Sequence, residues 1–459
     1  MQSPGQGMAI ADRLVRSGLM DEDYYTASYG REVLAGQSPA MHFVTTGFAR
    51  GMKPNPAFDP LVSRLRQPGV AAQDLLAQAI TGFSPGETRQ SVQSLLPGPI
   101  TPPDDIDPDR PGGLDPAQTI AYAQQFAKAR QTPFTVAGKS YVLQTPTAAE
   151  LLGRLRDDRP FFFARISHGD WDSFYFASHY RRQLAAELRG TVSDAELTML
   201  AYRLCEELHP VYDNFAENFM IELEADLQSR PRHPDFLMSV AFKGNPTADE
   251  EIFEGSAAIY PVDAERLGIF ARFFALGEAV YDANVFKRWL MSGDLRHLPE
   301  LARRRPVILM GADVLTSLGT RWRLPWFSHI VIPPEFSYPM RRRLLDVCRE
   351  RVAEAKAAAV KLKLGKPLFL LQGSSFAFWF QARLFASDPD LFSLDLGQAL
   401  HSWFYDVQEI PLRTWGRRYG PAIVKNCGFA DFYRGQGVQE PVIAALFAKR
   451  IKNLQALMP

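Results

Sequence analysis

The sequence predicts an α/β protein: a Rossmann-like, mostly parallel sheet with helices on both faces, preceded by a small all-α module. Three observations carry this. From about residue 134 onward, short apolar runs alternate with helical patterns, as strands joined by crossover helices do. Several of those runs end in Gly-containing turns, which places a cleft at one edge of the sheet. The first ninety residues show helical spacing and capping residues instead.

The elements follow in order. Ser17-Gly-Leu-Met-Asp-Glu-Asp-Tyr-Tyr25 offers caps before an aromatic pair, Pro39–Val44 continues with helical spacing, and Gly47 and Gly51 stop it. Lys53-Pro-Asn-Pro-Ala-Phe-Asp-Pro60 is a Pro-rich turn. The stretch from Leu96 to Gly113 is rich in Pro, Gly and Asp and cannot sustain a packed helix or a central strand. The expected organisation is a helical module at 1–93, a linker at 94–115 and the α/β domain at 116–459. A chain starting near Asp115 is then expected to fold by itself.

Beyond the linker, Phe134–Leu143 reads as a hairpin around Ala137-Gly138-Lys139. Helices are predicted at Thr147–Asp157, Ser193–Glu207, Tyr212–Leu227, Asp263–Leu276, Ser337–Leu364 and Phe376–Phe385. Strands are predicted at Phe161–Ile166, Phe236–Phe242, Pro306–Met310, His329–Ile332, Pro367–Leu371 and Leu391–Leu394.

Composition narrows the function. The chain has 459 residues, 46% of them hydrophobic, so it can bury large cores. Its 51 basic and 51 acidic residues cancel, against the basic excess of a general nucleic-acid binder. Arg303-Arg304-Arg305 and Arg341-Arg342-Arg343 are local exceptions, either solvated faces or phosphate contacts. The three cysteines show neither zinc-site nor disulfide spacing, so a reducing cytoplasm is the expected setting. No apolar run reaches the roughly 20 residues that a spanning helix needs, and no signal peptide is visible.

Chemistry concentrates at predicted strand ends. Arg165-Ile166-Ser167-His168-Gly169-Asp170-Trp171-Asp172 closes one strand; Asp170 there either meets a ligand or caps the next helix. Gly373-Ser374-Ser375 links a buried strand to a helix, where free N–H groups bind anions or Ser simply caps. Asp395-Leu396-Gly397 ends another strand, with His401 shortly after. There is no Gly-x-Gly-x-x-Gly and no Walker-type Gly-Lys-Ser.

Two resemblances follow from these residues. Ser17, Gly18, Leu19, Asp21, Tyr24, Tyr25, His42, Phe43, Gly47, Gly51, Pro54, Asn55, Pro56, Phe58 and Asp59 resemble a short module of bacterial surface-polysaccharide and glycosylation proteins. Its aromatics suit a small core or a face that docks a partner protein. The strand-end segments, in shared order over residues 148 to 405, resemble the GT-D glycosyltransferases. Arg165, Gly169 and Asp170 match that family's Arg-Ile/Phe-Gly-Asp-Gly-Glu string. Tyr281-Asp282-Ala283 with Lys287, Val307–Gly311, Ile330–Pro333, Leu368–Gly373 and Asp395-Leu396-Gly397 match later strings. His168 replaces the family's first acid, and Gln398 replaces a His.

The GT-D resemblance implies a cytoplasmic bacterial enzyme that moves a sugar from a UDP-sugar, or another nucleotide sugar, to a hydroxyl of a glycan or glycoprotein. Catalytic candidates are Asp170, Asp395 and His401. Donor-binding candidates are Arg165, Gly169, Lys287, Gly311, Gly373, Ser374, Ser375 and Gly397. A divalent metal, Mn²⁺ or Mg²⁺, would use His168, Asp170 and Asp172. Two rivals stay open: a non-catalytic nucleotide-sugar-binding or scaffold protein of the same fold, and a metal-dependent hydrolase built on His168 and Asp170.

Overall fold

Alternation of apolar runs and helices produces a single mixed sheet in the computed structural model. The structure describes residues 4–30, 34, 36–84, 90–98, 100, 131–136, 139–166, 168–208, 217–240, 272–283, 285–286, 289, 294–332, 341–373, 375–397 and 399–400; side chains at 4, 5, 27, 132–136, 139, 143, 168–172, 217, 218, 313, 314 and 375 are not among them. The described strands are β1 (Gln131–Val136), β2 (Lys139–Gln144), β3 (Phe162–Ile166), β4 (Phe236–Val240), β5 (Val280–Asp282), β6 (Val307–Gly311), β7 (Phe327–Val331), β8 (Leu368–Leu371) and β9 (Phe392–Asp395). Their order across the sheet is β1-β2-β5-β4-β3-β9-β8-β6-β7. Only β1 and β2 pair antiparallel, as the expected hairpin; every other pairing is parallel. The α/β class predicted from the sequence is therefore the one observed.

The central strands are apolar on both sides because both faces of the sheet are covered. On one face Phe161, Phe163, Leu237, Leu309, Leu370 and Leu394 join Leu151, Leu155, Trp289 and Trp322 in a continuous core. On the other, the helix Ser375–Ser387 packs on β3. There Phe162 meets Phe385 edge-on at 5.1 Å, and Gln381 donates to the Phe163 carbonyl and the Ser393 hydroxyl. Phe161, Phe162 and Phe163 are all fully buried, each contributing about 1.5–3 kcal/mol.

Helix boundaries follow their caps. Thr147 and Glu150 form a reciprocal capping box that starts the helix Ala148–Arg156. Ser193 and Glu196 make the same exchange before the helix Asp194–Leu208. The predicted basic helix is observed as Arg341–Leu362. β5 has no counterpart among the predicted strands; three residues are too short to show periodicity. The predicted helix at 263–276 and most of the linker at 94–115 lie outside the described residues, as do Lys287, Ser374, Gln398 and His401.

The described residues form two compact units. One comprises those of 1–104 together with 176–221; the other comprises those of 105–175 and 222–400 and contains the whole sheet. In the first unit the N-terminal motif residues are structural. Asp21 caps the helix Glu22–Tyr29, and Asp59 caps the helix Pro60–Arg66. The Asn55 amide donates to the Leu19 carbonyl at 2.5 Å while its oxygen accepts from the Ala57 and Phe58 N–H groups. Tyr25 stacks among Tyr29, His42 and Phe43, its hydroxyl 2.9 Å from His42 Nδ1. A Cβ at Gly47 would collide with the Tyr25 hydroxyl, so only glycine fits there.

Arg203, on the helix Asp194–Leu208, is fully buried in this same unit. It donates to Asp59 Oδ1 at 2.5 Å and to the Gly51 carbonyl at 2.6 Å. Glu207 accepts from the Val92 N–H and the Ser91 hydroxyl, and Arg64 pairs with Glu196. The N-terminal residues thus share hydrogen bonds and a buried ion pair with a helix more than a hundred residues downstream.

Candidate functional site

In the second unit the strand order reverses at β3 and again at β6, which has β7 on one side and β8 on the other; the β3 reversal joins the two halves of the sheet. From β3 the chain steps outward to β4 and then β5, whereas β9, on the other side of β3, adjoins β8, β6 and β7. In open α/β sheets ligands bind beyond the carboxyl ends of strands at such a reversal. The side chains that β3 and β9 present there are Arg165 and Asp395.

Strand pairing alone brings these two together, since 230 residues separate them in sequence. Phe162 is level with Ser393 and Phe163 with Leu394, so both strands end at nearly the same height. Arg165 Nε lies 3.5 Å from Asp395 Oδ2. Asp395 Oδ1 accepts the Gly397 N–H at 3.0 Å. Gly397 has φ +51°, a left-handed conformation that glycine adopts freely. A Cβ at this position would overlap the Arg165 guanidinium. The turn Asp395-Leu396-Gly397 therefore holds the guanidinium between a carboxylate and a bare peptide.

The neighbouring strand ends complete the edge. Leu371 of β8 is level with Asp395, and Gly373 follows two residues later, just before the helix Ser375–Ser387. Gly311 closes β6, where a Cβ would press on Leu315 and Gln372. Asp282 closes β5 on the far side of β4 and is fully buried. Past β3, the helix His168–Glu187 begins at once. Positions 168 and 172 stand one turn apart, and position 170 lies about 200° around the axis from 168. The structure thus brings Arg165, Asp395 and Gly397 into contact and sets Gly311, Gly373 and the backbone of 168–172 at the same edge of the sheet. His401, Lys287 and Ser374 are outside the described residues.

Both arginine clusters prove to be structural. Arg341 is fully buried and grips Glu222 with two hydrogen bonds of 2.9 and 2.6 Å; Arg342 adds a third at 2.6 Å and Trp379 Nε1 a fourth at 3.2 Å. Burial would raise the Glu222 carboxyl, but the bonds and charge of Arg341, with Arg342 and Trp379 behind it, hold it below the usual carboxylate range. One turn on, Asp226 takes Arg383 at 2.6 Å; burial, together with nearby Glu222, pushes its carboxyl up despite that partner. In the other cluster Arg305 donates to Asp158 at 2.5 Å and to the Lys366 and Leu155 carbonyls, while Arg303 donates to the Trp322 carbonyl. Glu222 was not a candidate in the sequence; one acid among several in a helix carries no sign that cations 119 residues away converge on it.

Among the described residues no group of three or more His, Cys, Asp or Glu side chains is arranged to hold a metal ion, and no helix is long and apolar enough to cross a membrane. No family model matches the chain, and no curated protein matches it. Two solved structures are similar to it in part. Both are of domain of unknown function 1792, one described as having a distinct glycosyltransferase fold and the other selenomethionine-substituted. Each likeness covers 62% of this chain and 85% of the other, at 11% and 12% identity and a TM-score of 0.33, a level at which it carries no argument.

Proposed function

We propose that the protein is a nucleotide-sugar-dependent glycosyltransferase whose donor diphosphate lies at the carboxyl edge of β3 and β9. The observation that carries this reading is Arg165, seated by Asp395 and Gly397 where the strand order reverses at β3. The ordered GT-D-like strings in the sequence support it, because they fall on these same strand ends.

The chemistry asks for a cation at this edge. As the sugar–diphosphate bond breaks, negative charge grows on the departing diphosphate, and fixed donors stabilise it without reorganising. The Arg165 guanidinium is planar and suited to bidentate phosphate contact. The N-terminus of the helix Ser375–Ser387, two strands away from β3, adds N–H groups beside Gly373. A base must accept the proton of the acceptor hydroxyl; Asp170, at the start of the helix after β3, is our first choice. An imidazole and a carboxylate form a donor pair that fits Mn²⁺, and His168 with Asp172, one turn apart on the helix, would hold it, while position 170 lies on the opposite side and is left for the base. A metal bound there would neutralise diphosphate charge.

The test is thermal unfolding with UDP, GDP, ADP and CDP in turn, with and without Mn²⁺. At a concentration about 100 times Kd, binding stabilises by about 2.7 kcal/mol, which for a unit of this size raises Tm by roughly 4 °C. No shift with any of the four removes the reading. A non-catalytic binding protein is the second reading, favoured by His168 at the position of the family's first acid. A Tm shift without sugar transfer or donor hydrolysis would select it.

A further inference from the structure

We infer that Asp395 is a positioning residue for Arg165, and that the pair with Gly397 forms the seat for the donor's diphosphate; this rests on the glycosyltransferase reading. Asp395 therefore leaves the list of candidate bases.

The geometry of the carboxylate argues first. A base needs one oxygen within about 2.6–3.2 Å of the acceptor hydroxyl. Asp395 is fully buried, with Oδ1 taken by the Gly397 N–H and Oδ2 turned to Arg165 Nε. A substrate hydroxyl would have to displace a guanidinium to reach it.

The arginine argues second. The other deeply buried arginines have committed terminal nitrogens: Arg203 to Asp59 and the Gly51 carbonyl, Arg230 to Glu278 and the Leu227 carbonyl, Arg305 to Asp158 and two carbonyls, and Arg341 to Glu222. Arg165 differs. Its side chain is 11% exposed and its only described partner is Asp395, at ion-pair distance. Its buried Nε makes no hydrogen bond, a feature that Arg230 and Arg305 share; what sets Arg165 apart is that no hydrogen bond is described from its terminal nitrogens. A guanidinium held in place by charge and shape at the mouth of a strand reversal is what an incoming diphosphate requires.

Gly397 argues third. Its φ of +51° and its missing Cβ let the peptide lie against the guanidinium, so the turn sets the position of Arg165 by shape as well as charge.

The experiment is a double-mutant cycle on the full chain, using the nucleoside diphosphate that shifts Tm most and reading Kd by calorimetry and kcat by sugar transfer or donor hydrolysis. Arg165→Gln is expected to raise Kd about tenfold or more, and Asp395→Asn about three- to tenfold. The double variant should stay within about twofold of Arg165→Gln in both Kd and kcat, because Asp395 acts only through Arg165. If Asp395→Asn alone fails to fold for want of a partner to Arg165, the neutral double variant restores the fold, and its comparison with Arg165→Gln decides. Loss of a base would instead lower kcat by about 100-fold or more in either background. That result, or an Asp395→Asn protein with unchanged Kd beside a weakened Arg165→Gln, overturns the inference and leaves the glycosyltransferase reading standing. A wild-type chain that binds none of the four diphosphates ends both.

Discussion

Arg203→Met is expected to destabilise the N-terminal unit by about 3–5 kcal/mol, the usual cost of removing one partner from a buried ion pair. The substitution keeps most of the side-chain stem and removes the guanidinium. Asp59, itself buried, then faces the interior without its cation, and the Gly51 carbonyl loses its donor. For a unit of about 150 residues, each kcal/mol is worth about 2–4 °C, so the first thermal transition should fall by roughly 6–20 °C. Adding Asp59→Ser removes the stranded carboxylate and keeps a helix cap for Pro60–Arg66. The double variant should recover about 2 kcal/mol or more of the loss. Urea and thermal unfolding of the wild type, both single variants and the double variant measure the cycle. A loss under about 1 kcal/mol for Arg203→Met would mean that the pair does not bind the N-terminal residues to the helix Asp194–Leu208, and the reasoning would fall.

Deleting residues 1–104 should leave the rest insoluble or unfolded at residues 176–208, because Arg203 and Glu207 lose Asp59, Ser91 and Val92 together; a soluble, monodisperse truncated chain with native circular dichroism would refute this. Glu222, held below its ordinary value of 4.5, contributes stability that is full above that pH and is lost as pH falls through its folded value. Glu222→Gln should therefore destabilise at pH 7 by about 1–3 kcal/mol, and the gap to wild type should narrow below about pH 4.5; a constant gap on acid titration would count against the Arg341–Glu222 account. Asp170→Asn should lower sugar transfer by about 100-fold or more with under about 1 kcal/mol of change in stability, and unchanged turnover would move the base elsewhere.

Much of the sheet was legible because its central strands are dense apolar runs bounded by breakers. Phe161–Ile166, Val307–Met310 and Leu368–Leu371 announce themselves by composition. β5 does not, since Val280–Asp282 is recognisable only once β2 and β4 flank it. The order of the strands was not legible either, and that order creates the site. Arg165 and Asp395 could each be read as the end of a strand, but nothing local says that β3 and β9 are neighbours. Asp59 stood out in the sequence only as one position of a short string, while its buried partner lies 144 residues downstream.

Charge patterning misleads for the same reason. Arg303-Arg304-Arg305 and Arg341-Arg342-Arg343 look like solvated or anion-binding runs because their counter-charges, Asp158 and Glu222, come from distant segments. Once folded, one arginine of each run, Arg305 and Arg341, becomes an internal fastener. Arg165, a single arginine in an apolar run with no charged neighbour, is held at ion-pair distance from Asp395, with no hydrogen bond described from its terminal nitrogens. Arginine count is therefore a poor guide to an anion site in this chain. The better guide is whether the partners of a buried guanidinium take its terminal nitrogens, as they do at Arg230 and Arg305; no such partner is described at the carboxyl edge of β3 and β9.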